Sequence, residues 1–167
     1  MSERIIFVDE NDEPIGIGTR EEAWAKGIHM RIVRAVLRDE KGRILSQLRS
    51  PEKKSYPNRW TDSASGHVDE GDTYDSAVIR ELEEELGLST ELTFVGKFAS
   101  KDVIDDKIIS EFNAVYEGKI NSTSSFTLEA GEVSDTQWFD LDDLKRRIQK
   151  DPDSFTPGFR ELINRYY

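Results

Sequence analysis

Between Gly66 and Leu88 the chain concentrates the groups that could do chemistry. Gly66-His67-Val68-Asp69-Glu70-Gly71-Asp72 leads into a stretch that ends Arg80-Glu81-Leu82-Glu83-Glu84-Glu85-Leu86-Gly87-Leu88. Asp72 or Thr73 can cap a helix running to about Leu86, and Gly87 stands where a left-handed residue closes one. At about 100° per residue, Val78, Ile79, Leu82 and Leu86 share one arc, the expected buried face. Glu81, Glu84 and Glu85 fall on the neighbouring arc at i, i+3 and i+4, and Glu83 points away. Like charges so spaced destabilise a helix by roughly a few tenths of a kcal/mol each, and partial burial raises the cost. A hard divalent cation such as Mg²⁺ would relieve the repulsion, because oxygen ligands suit it. Arg80 would orient one carboxylate through a bidentate pair. A solvated acidic face on an acidic protein is the competing account of the three glutamates. The preceding loop favours a site: Gly66 and Gly71 bracket a turn that brings main-chain groups to the helix N-terminus, where a phosphate or a metal-bound water can be held.

Other elements must position that helix. Arg4–Val8 and Pro14–Ile17 flank the turn-forming Asp9–Asp12 and predict an opening hairpin. Thr19 with Glu22 forms a capping-box pattern for a short helix through Lys26, closed by Gly27. Met30–Leu37 and Arg43–Leu48 read as paired strands around Asp39–Gly42, and Ser50–Arg59 as a surface loop. Strands are expected at Leu92–Phe98, Ile108–Tyr116 and Thr136–Phe139, with Ser100–Lys107 and Gly118–Ser125 as loops. Amphipathic helices are expected over Asp140–Gln149 and Thr156–Tyr166, so that helices close the chain at about 140–166. No repeat or linker interrupts the sequence. A single domain over 1–167, with the hairpin and short helix in about 1–28, fits strands interleaved with separated helices.

Composition narrows the function classes. Of 167 residues, 23 are Lys or Arg and 34 Asp or Glu, for a net charge of −11. Such a field repels phosphate backbones, so no nucleic-acid partner is expected. No apolar run is long enough to span a bilayer and no leader pattern opens the chain, so neither a membrane partner nor export is expected, and the default compartment is the cytoplasm. The absence of cysteine excludes disulfides, zinc–thiolate sites and thiol catalysis. Oligomeric state stays open, a homodimer included.

Gly66, five residues, Asp72, seven residues and then Arg80–Leu88 together resemble the signature box of the Nudix hydrolase superfamily. Only Asp72 departs, standing where the family has Glu. The resemblance implies an α/β fold, a Nudix-type α/β/α sandwich around a mixed β-sheet, and Mg²⁺- or Mn²⁺-dependent cleavage of a diphosphate linked to another moiety. In that scheme Glu84 and Glu85 bind metal, Glu81 binds metal or accepts the proton of the attacking water, and the Gly66 carbonyl completes the coordination. Asp72 serves more readily as a helix cap or an Arg80 partner than as a ligand.

The resemblance extends to one branch. Arg49, Lys53-Lys54, Tyr56-Pro57, Trp60-Thr61-Asp62-Ser63 and Gly66-His67 are similar in order and spacing to isopentenyl-diphosphate isomerases and the hydrolases related to them. Glu111–Tyr116 matches the strand that supplies a catalytic or metal-binding Glu there. The isomerase requires a cysteine just before the box glycine, where this chain has Ser65. Its metal site uses three histidines and two glutamates; His29, His67 and Glu111 fall on matching positions, whereas Glu22 and Ile109 replace the others, leaving a partial site.

These readings combine into an expected metal-dependent hydrolase acting on a nucleoside diphosphate derivative or a related small-molecule diphosphate. The expected catalytic residues are Arg80, Glu81, Glu84, Glu85 and Glu111. Glu81, Glu84, Glu85 and Glu111 with Gly66 are the expected metal ligands. Arg49, Lys53 and His67 are the expected substrate contacts, with Lys54 ordinary surface charge or a helper. A neutral His67 would bind metal and a protonated one phosphate. Trp60 and Tyr56 are expected to fill the core rather than bind ligand. A non-catalytic metabolite-binding domain and an isomerase with Ser65 in place of the thiol are the alternatives.

Overall fold

The computed structural model describes residues 3–167; the first two residues of the expected 1–28 stretch lie outside it. Strands β1 (Ile5–Val8) and β2 (Pro14–Gly18) form the opening hairpin. Helix α1 (Arg20–Lys26) follows, with the Thr19–Glu22 capping box and Gly27 in the left-handed conformation, as its sequence predicts. Then come β3 (His29–Arg38), β4 (Ile44–Arg49), β5 (Trp60–Thr61) and β6 (Ala64–His67). Helix α2 (Tyr74–Leu86) is capped by Thr73 rather than Asp72, and Gly87 closes it at φ 66°. The chain ends with β7 (Leu92–Ile104), β8 (Lys107–Lys119), β9 (Val133–Phe139), α3 (Leu141–Lys150) and α4 (Pro157–Tyr166). Among the described residues no helix is long and apolar enough to cross a membrane.

All nine strands join one mixed sheet. β3 runs parallel to β8 over ten residue pairs and antiparallel to β1, β4 and β6 along its other edge. Because side chains alternate along a strand, Val33, Ala35 and Leu37 face one way and Met30, Ile32, Arg34 and Val36 the other. The first face packs under α2 through Val78, Leu82 and Leu86. The second carries α1 over Met30 and Ile109, and α3 and α4 over Val36, Val115 and Phe139. The architecture is therefore an α/β sandwich, α2 on one side and α1, α3 and α4 on the other. Between α1 and α4 no helix lies across the second face, and Ile32 and Arg34 there line a cavity.

Three expectations change. Ser100–Lys107 is not a loop: β7 and β8 continue as a 13-residue ladder each to a tight turn at Asp105-Asp106, with Asp105 at φ 53°. The polar Ser100-Lys101-Asp102 and the turn residues Asp105-Asp106 masked this strand from its composition. Gly66 lies in β6, opposite Val33, rather than in the loop it was expected to open. Ile79 is 48% exposed. The buried arc of α2 is turned the other way, so that Glu85 is buried alongside Ala77, Val78, Leu82 and Leu86.

Asp12 anchors the hairpin to the sheet. Its carboxylate accepts from Arg31 Nε at 2.7 Å and Tyr74 Oη at 2.9 Å and pairs with Lys97. Burial alone would raise the Asp12 pKa, but the bonds from Lys97, Arg31 and Tyr74 outweigh it and hold the group below its ordinary value. A depressed carboxylate contributes stability that is present above the unfolded pKa of about 3.9 and lost as pH falls through the folded value. The urea midpoint of wild type should therefore exceed that of Asp12→Asn at neutral pH, and the gap should close on acidification below about pH 4. A gap unchanged down to pH 2 would rule out this network as its source.

Candidate active site

The uncovered part of the sheet is the floor of a cavity of about 950 Å³. α1 contributes Arg20, Glu21 and Trp24; β3 contributes Ile32 and Arg34; β8 contributes Ile109 and Glu111. The loop after β4 supplies Lys53, Lys54, Ser55 and Tyr56, and the start of α4 supplies Pro157, Gly158 and Arg160. Ser65, Gly66, His67, Glu81 and Glu84 line the side nearest α2. The helix N-terminus does not reach this space; its first turn is occupied by Thr73, Ser76 and Asp72, with Ser76 Oγ donating to Asp72 at 2.9 Å. The expectation of a phosphate held at that terminus is thus not met.

Two α2 carboxylates pack against β6, Glu85 buried and Glu81 partly buried. Glu85 accepts from Ser65 N at 2.9 Å and from Gln47 Nε2 at 2.6 Å. Glu81 presses on the Gly66 backbone so closely that a Cβ there would lie 2.1 Å from its carboxyl carbon. Glycine at this position is what lets the carboxylate reach past the edge strand. Burial, reinforced by each other's charge and by Glu84, raises Glu81 well above the carboxylate range against the pull of Arg80; burial also raises Glu85, against the bonds from Gln47 and Ser65. Glu84 sits on the rim, its side chain 50% exposed.

Arg80 does more than hold one carboxylate in a bidentate pair. Its Nη1 lies 2.7 Å from Glu81 and 3.3 Å from Glu84, and its Nη2 lies 2.9 Å from Asp72, 3.2 Å from Asp69 and 3.1 Å from the His67 carbonyl. Asp72, though shorter than the box glutamate, still reaches this guanidinium. Gly66→Ala is expected to leave the fold intact, because the atom it displaces is the far end of a flexible side chain. The displaced Glu81 should cost about a hundredfold in turnover, as small misplacements of reacting groups do. Full activity in Gly66→Ala would remove Glu81 from the reaction.

The remaining expected residues separate. Glu111 lies on the cavity floor 3.8 Å from Arg34 Nη2, and burial raises its pKa while Arg34 and Arg49 lower it. It does not join the α2 glutamates: among the described residues no three His, Asp or Glu side chains come together in a ready metal cluster. His67 shares the Ile32 face and lines the cavity, and burial, aided by Arg20, Lys53 and Arg49, drives its pKa down to about 3. This burial favours the neutral imidazole over a protonated one. His29 alternates to the opposite face, where it stacks on Phe112 with ring centroids 5.4 Å apart. The partial isomerase-like site of His29, His67 and Glu111 is therefore not assembled.

Arg49 lines the cavity while Nε and Nη2 bond the Ser55 and Tyr56 carbonyls, so much of its donor capacity shapes the loop. Lys53 is paired with Glu132 and Lys54 with Glu21 at 3.1 Å. Trp60 packs edge-on to Phe139, centroids 5.6 Å apart, and is core as expected. Tyr56 instead lines the cavity, its hydroxyl donating to Asp102.

Sequence reasoning missed Arg34, Trp24, Arg20 and Arg160. Arg34 bonds Asp62 at 2.8 Å and Asn113 at 2.8 Å, and Gly158 leaves room for its guanidinium. Arg34, with Arg31 one of two arginines inside the otherwise apolar run Met30–Leu37, was the available signal. Glu81, Glu84, Glu85 and the Gly66 carbonyl are all oxygen donors, the chemistry a hard divalent cation takes, but Arg80, Gln47 and Ser65 N now hold Glu81 and Glu85, so these side chains would have to draw together around the ion.

Comparison with known proteins agrees with this geometry. The NUDIX domain family model matches residues 28–159. An isopentenyl-diphosphate Delta-isomerase 2 of Photorhabdus laumondii is 32% identical over 165 residues, covering 98% of this chain and 92% of that protein. A prenyl-diphosphate phosphatase of Methanosarcina mazei is 31% identical over 159 residues, covering 93% and 90%. A crystal structure from Deinococcus radiodurans superposes with a TM-score of 0.81 at 28% identity, covering 99% of both chains. With the box on α2, the mixed sheet and a match over most of its length, the chain belongs to the NUDIX domain family, as an enzyme of the Nudix hydrolase class.

Proposed function

We propose that the protein hydrolyses a phosphoanhydride bond in a nucleoside diphosphate derivative or a related small diphosphate, with Mg²⁺ or Mn²⁺. The observation that carries the reading is the packing of Glu81 and Glu85 against the β6 backbone beside one cavity, with Glu84 on its rim. Glu84, Glu85 and the Gly66 carbonyl are the residues that would hold the cation. When bound, such a cation neutralises charge on non-bridging oxygens and lowers the pKa of water. Glu81 or Glu111 takes the proton of the attacking water, a task suited to a carboxylate whose basicity burial has raised. Arg80 keeps Glu81 and Glu84 in place. Arg49, Lys53 and Arg34, which line the same cavity, are the cations that would orient the diphosphate oxygens.

Ser65 stands where the isomerase needs its thiol, and the hydroxyl is a far weaker acid, so isomerisation is not the favoured reading. Treatment with EDTA is expected to abolish diphosphate hydrolysis, and excess Mg²⁺ or Mn²⁺ to restore it. Turnover that persists in EDTA would overturn the metal requirement while leaving the hydrolase class standing.

A further inference from the structure

Gly158 occupies a position that does not call for glycine on conformational grounds. It is the second residue of α4, after the Thr156 cap and Pro157, and its φ is not positive. Glycine is among the poorest helix formers, so its reason lies in the space around it. A Cβ here would stand 2.1 Å from Arg34 Nη2 and 2.5 Å from Arg34 Cζ. The guanidinium therefore sits against the first turn of α4, in the volume a side chain would fill.

Arg34 is held there from two sides. Nε donates to Asn113 Oδ1 at 2.8 Å and Nη1 to Asp62 Oδ2 at 2.8 Å, and neither acceptor residue has solvent exposure. Nη2 donates to no described residue; Glu111 Oε2 stands 3.8 Å from it, beyond hydrogen-bond reach. Arg34 and Gly158 both line the cavity, whereas Asp62 and Asn113 do not. Because the guanidinium is rigid and planar, fixing two of its nitrogens fixes the direction of the third. Nη2 is thus the corner of a buried cation that is left for a ligand, and the ligand it suits is a phosphoryl oxygen.

We propose that Gly158 is a positioning residue for substrate binding: by leaving its side-chain volume to Arg34, it lets Asp62 and Asn113 aim Nη2 at an oxygen of the diphosphate. The assignment rests on the hydrolase reading for its diphosphate and adds what aims one of the cations. A cation already fixed in place loses little side-chain freedom when substrate binds, so the gain appears as affinity.

Steady-state kinetics of Gly158→Ala, Arg34→Lys and the double variant test this, on a diphosphate that wild type hydrolyses. Gly158→Ala should stay folded, since alanine favours the helix and the atoms it meets are the end of a flexible side chain. KM should rise about tenfold, the worth of one hydrogen bond to a charged group, with kcat within about twofold of wild type. Lysine at position 34 keeps a positive charge beside Asp62 but has no planar fork to displace. Adding Gly158→Ala to Arg34→Lys should therefore change KM less than about twofold. The same tenfold rise in that background, a loss of kcat with KM unchanged, or wild-type kinetics in Gly158→Ala would overturn the assignment. If Arg34→Lys fails to fold, a crystal structure of Gly158→Ala decides: Nη2 displaced with α4 in place supports the assignment, and α4 displaced with Nη2 in place overturns it. Absence of turnover by wild type across a wide diphosphate panel is instead a failure of the hydrolase reading. Calorimetry with inorganic pyrophosphate in EDTA then carries the test, with binding about tenfold weaker in Gly158→Ala expected. Equal binding by the two proteins, or none by wild type, overturns the role of Gly158.

Discussion

Glu85→Gln is expected to lower turnover by roughly a hundredfold to ten-thousandfold, the range for losing a group that acts in the transition state, while the protein stays folded. The substitution keeps side-chain length and helix propensity. It also keeps one acceptor for the two N–H donors that now meet the carboxylate, Ser65 N and Gln47 Nε2. The Gln47 amide cannot turn over freely, because its Nε2 also donates to the Ser63 carbonyl at 3.0 Å. One mismatched contact should cost about 1 kcal/mol, offset by removal of a carboxylate whose charged form burial disfavours. A thermal melt within a few degrees of wild type, alongside lost turnover and little change in KM, would identify Glu85 as acting in the reaction rather than in the fold.

Arg34→Met should have the largest effect on stability. Arg34 is buried in the middle of β3, donating to Asp62, which has no solvent exposure, and to Asn113, with Glu111 beside it. Burial raises the Asp62 pKa, and the Arg34 charge and hydrogen bond counter it. Removing the cation strands a buried carboxylate, which costs about 3–5 kcal/mol. Adding Asp62→Leu to Arg34→Met should recover part of that loss, since removing both charges leaves neither stranded. Chemical denaturation of the three proteins reads the result. A single variant as stable as wild type would show that the pair is not held as a buried ion pair.

The chemistry-bearing helix was legible because its signals are local. Thr73, Gly87 and the spacing of Val78, Leu82 and Leu86 define α2, and the box spacing from Gly66 to Leu88 identifies the site. The caps of α1 were readable for the same reason. What the sequence concealed depends on register and on contacts between distant segments. Whether Ile79 or Glu85 is buried turns on how α2 is rotated against β6, and the partners that meet Glu85 there, Ser65 N and Gln47, lie in distant segments of the chain. His29 and His67 look like partners in the linear pattern, but the pairing of Ile32 with His67 sends them to opposite faces. Arg34 and Trp24 were invisible as site residues because the gap between α1 and α4 exists only once the sheet is assembled. The β7–β8 ladder was shortened in prediction because cross-strand pairing, not composition, sustains residues such as Lys101 and Asp102 as strand.

The most direct measurement is release of phosphate, pyrophosphate and nucleotide from a panel of small diphosphates, with Mg²⁺ and then Mn²⁺, run beside Glu85→Gln. Metal-dependent turnover of at least one compound by wild type, absent from Glu85→Gln, is the expected result. Equal turnover by the two proteins, or none by wild type while metal still binds, would contradict a reaction centred on the α2 carboxylates.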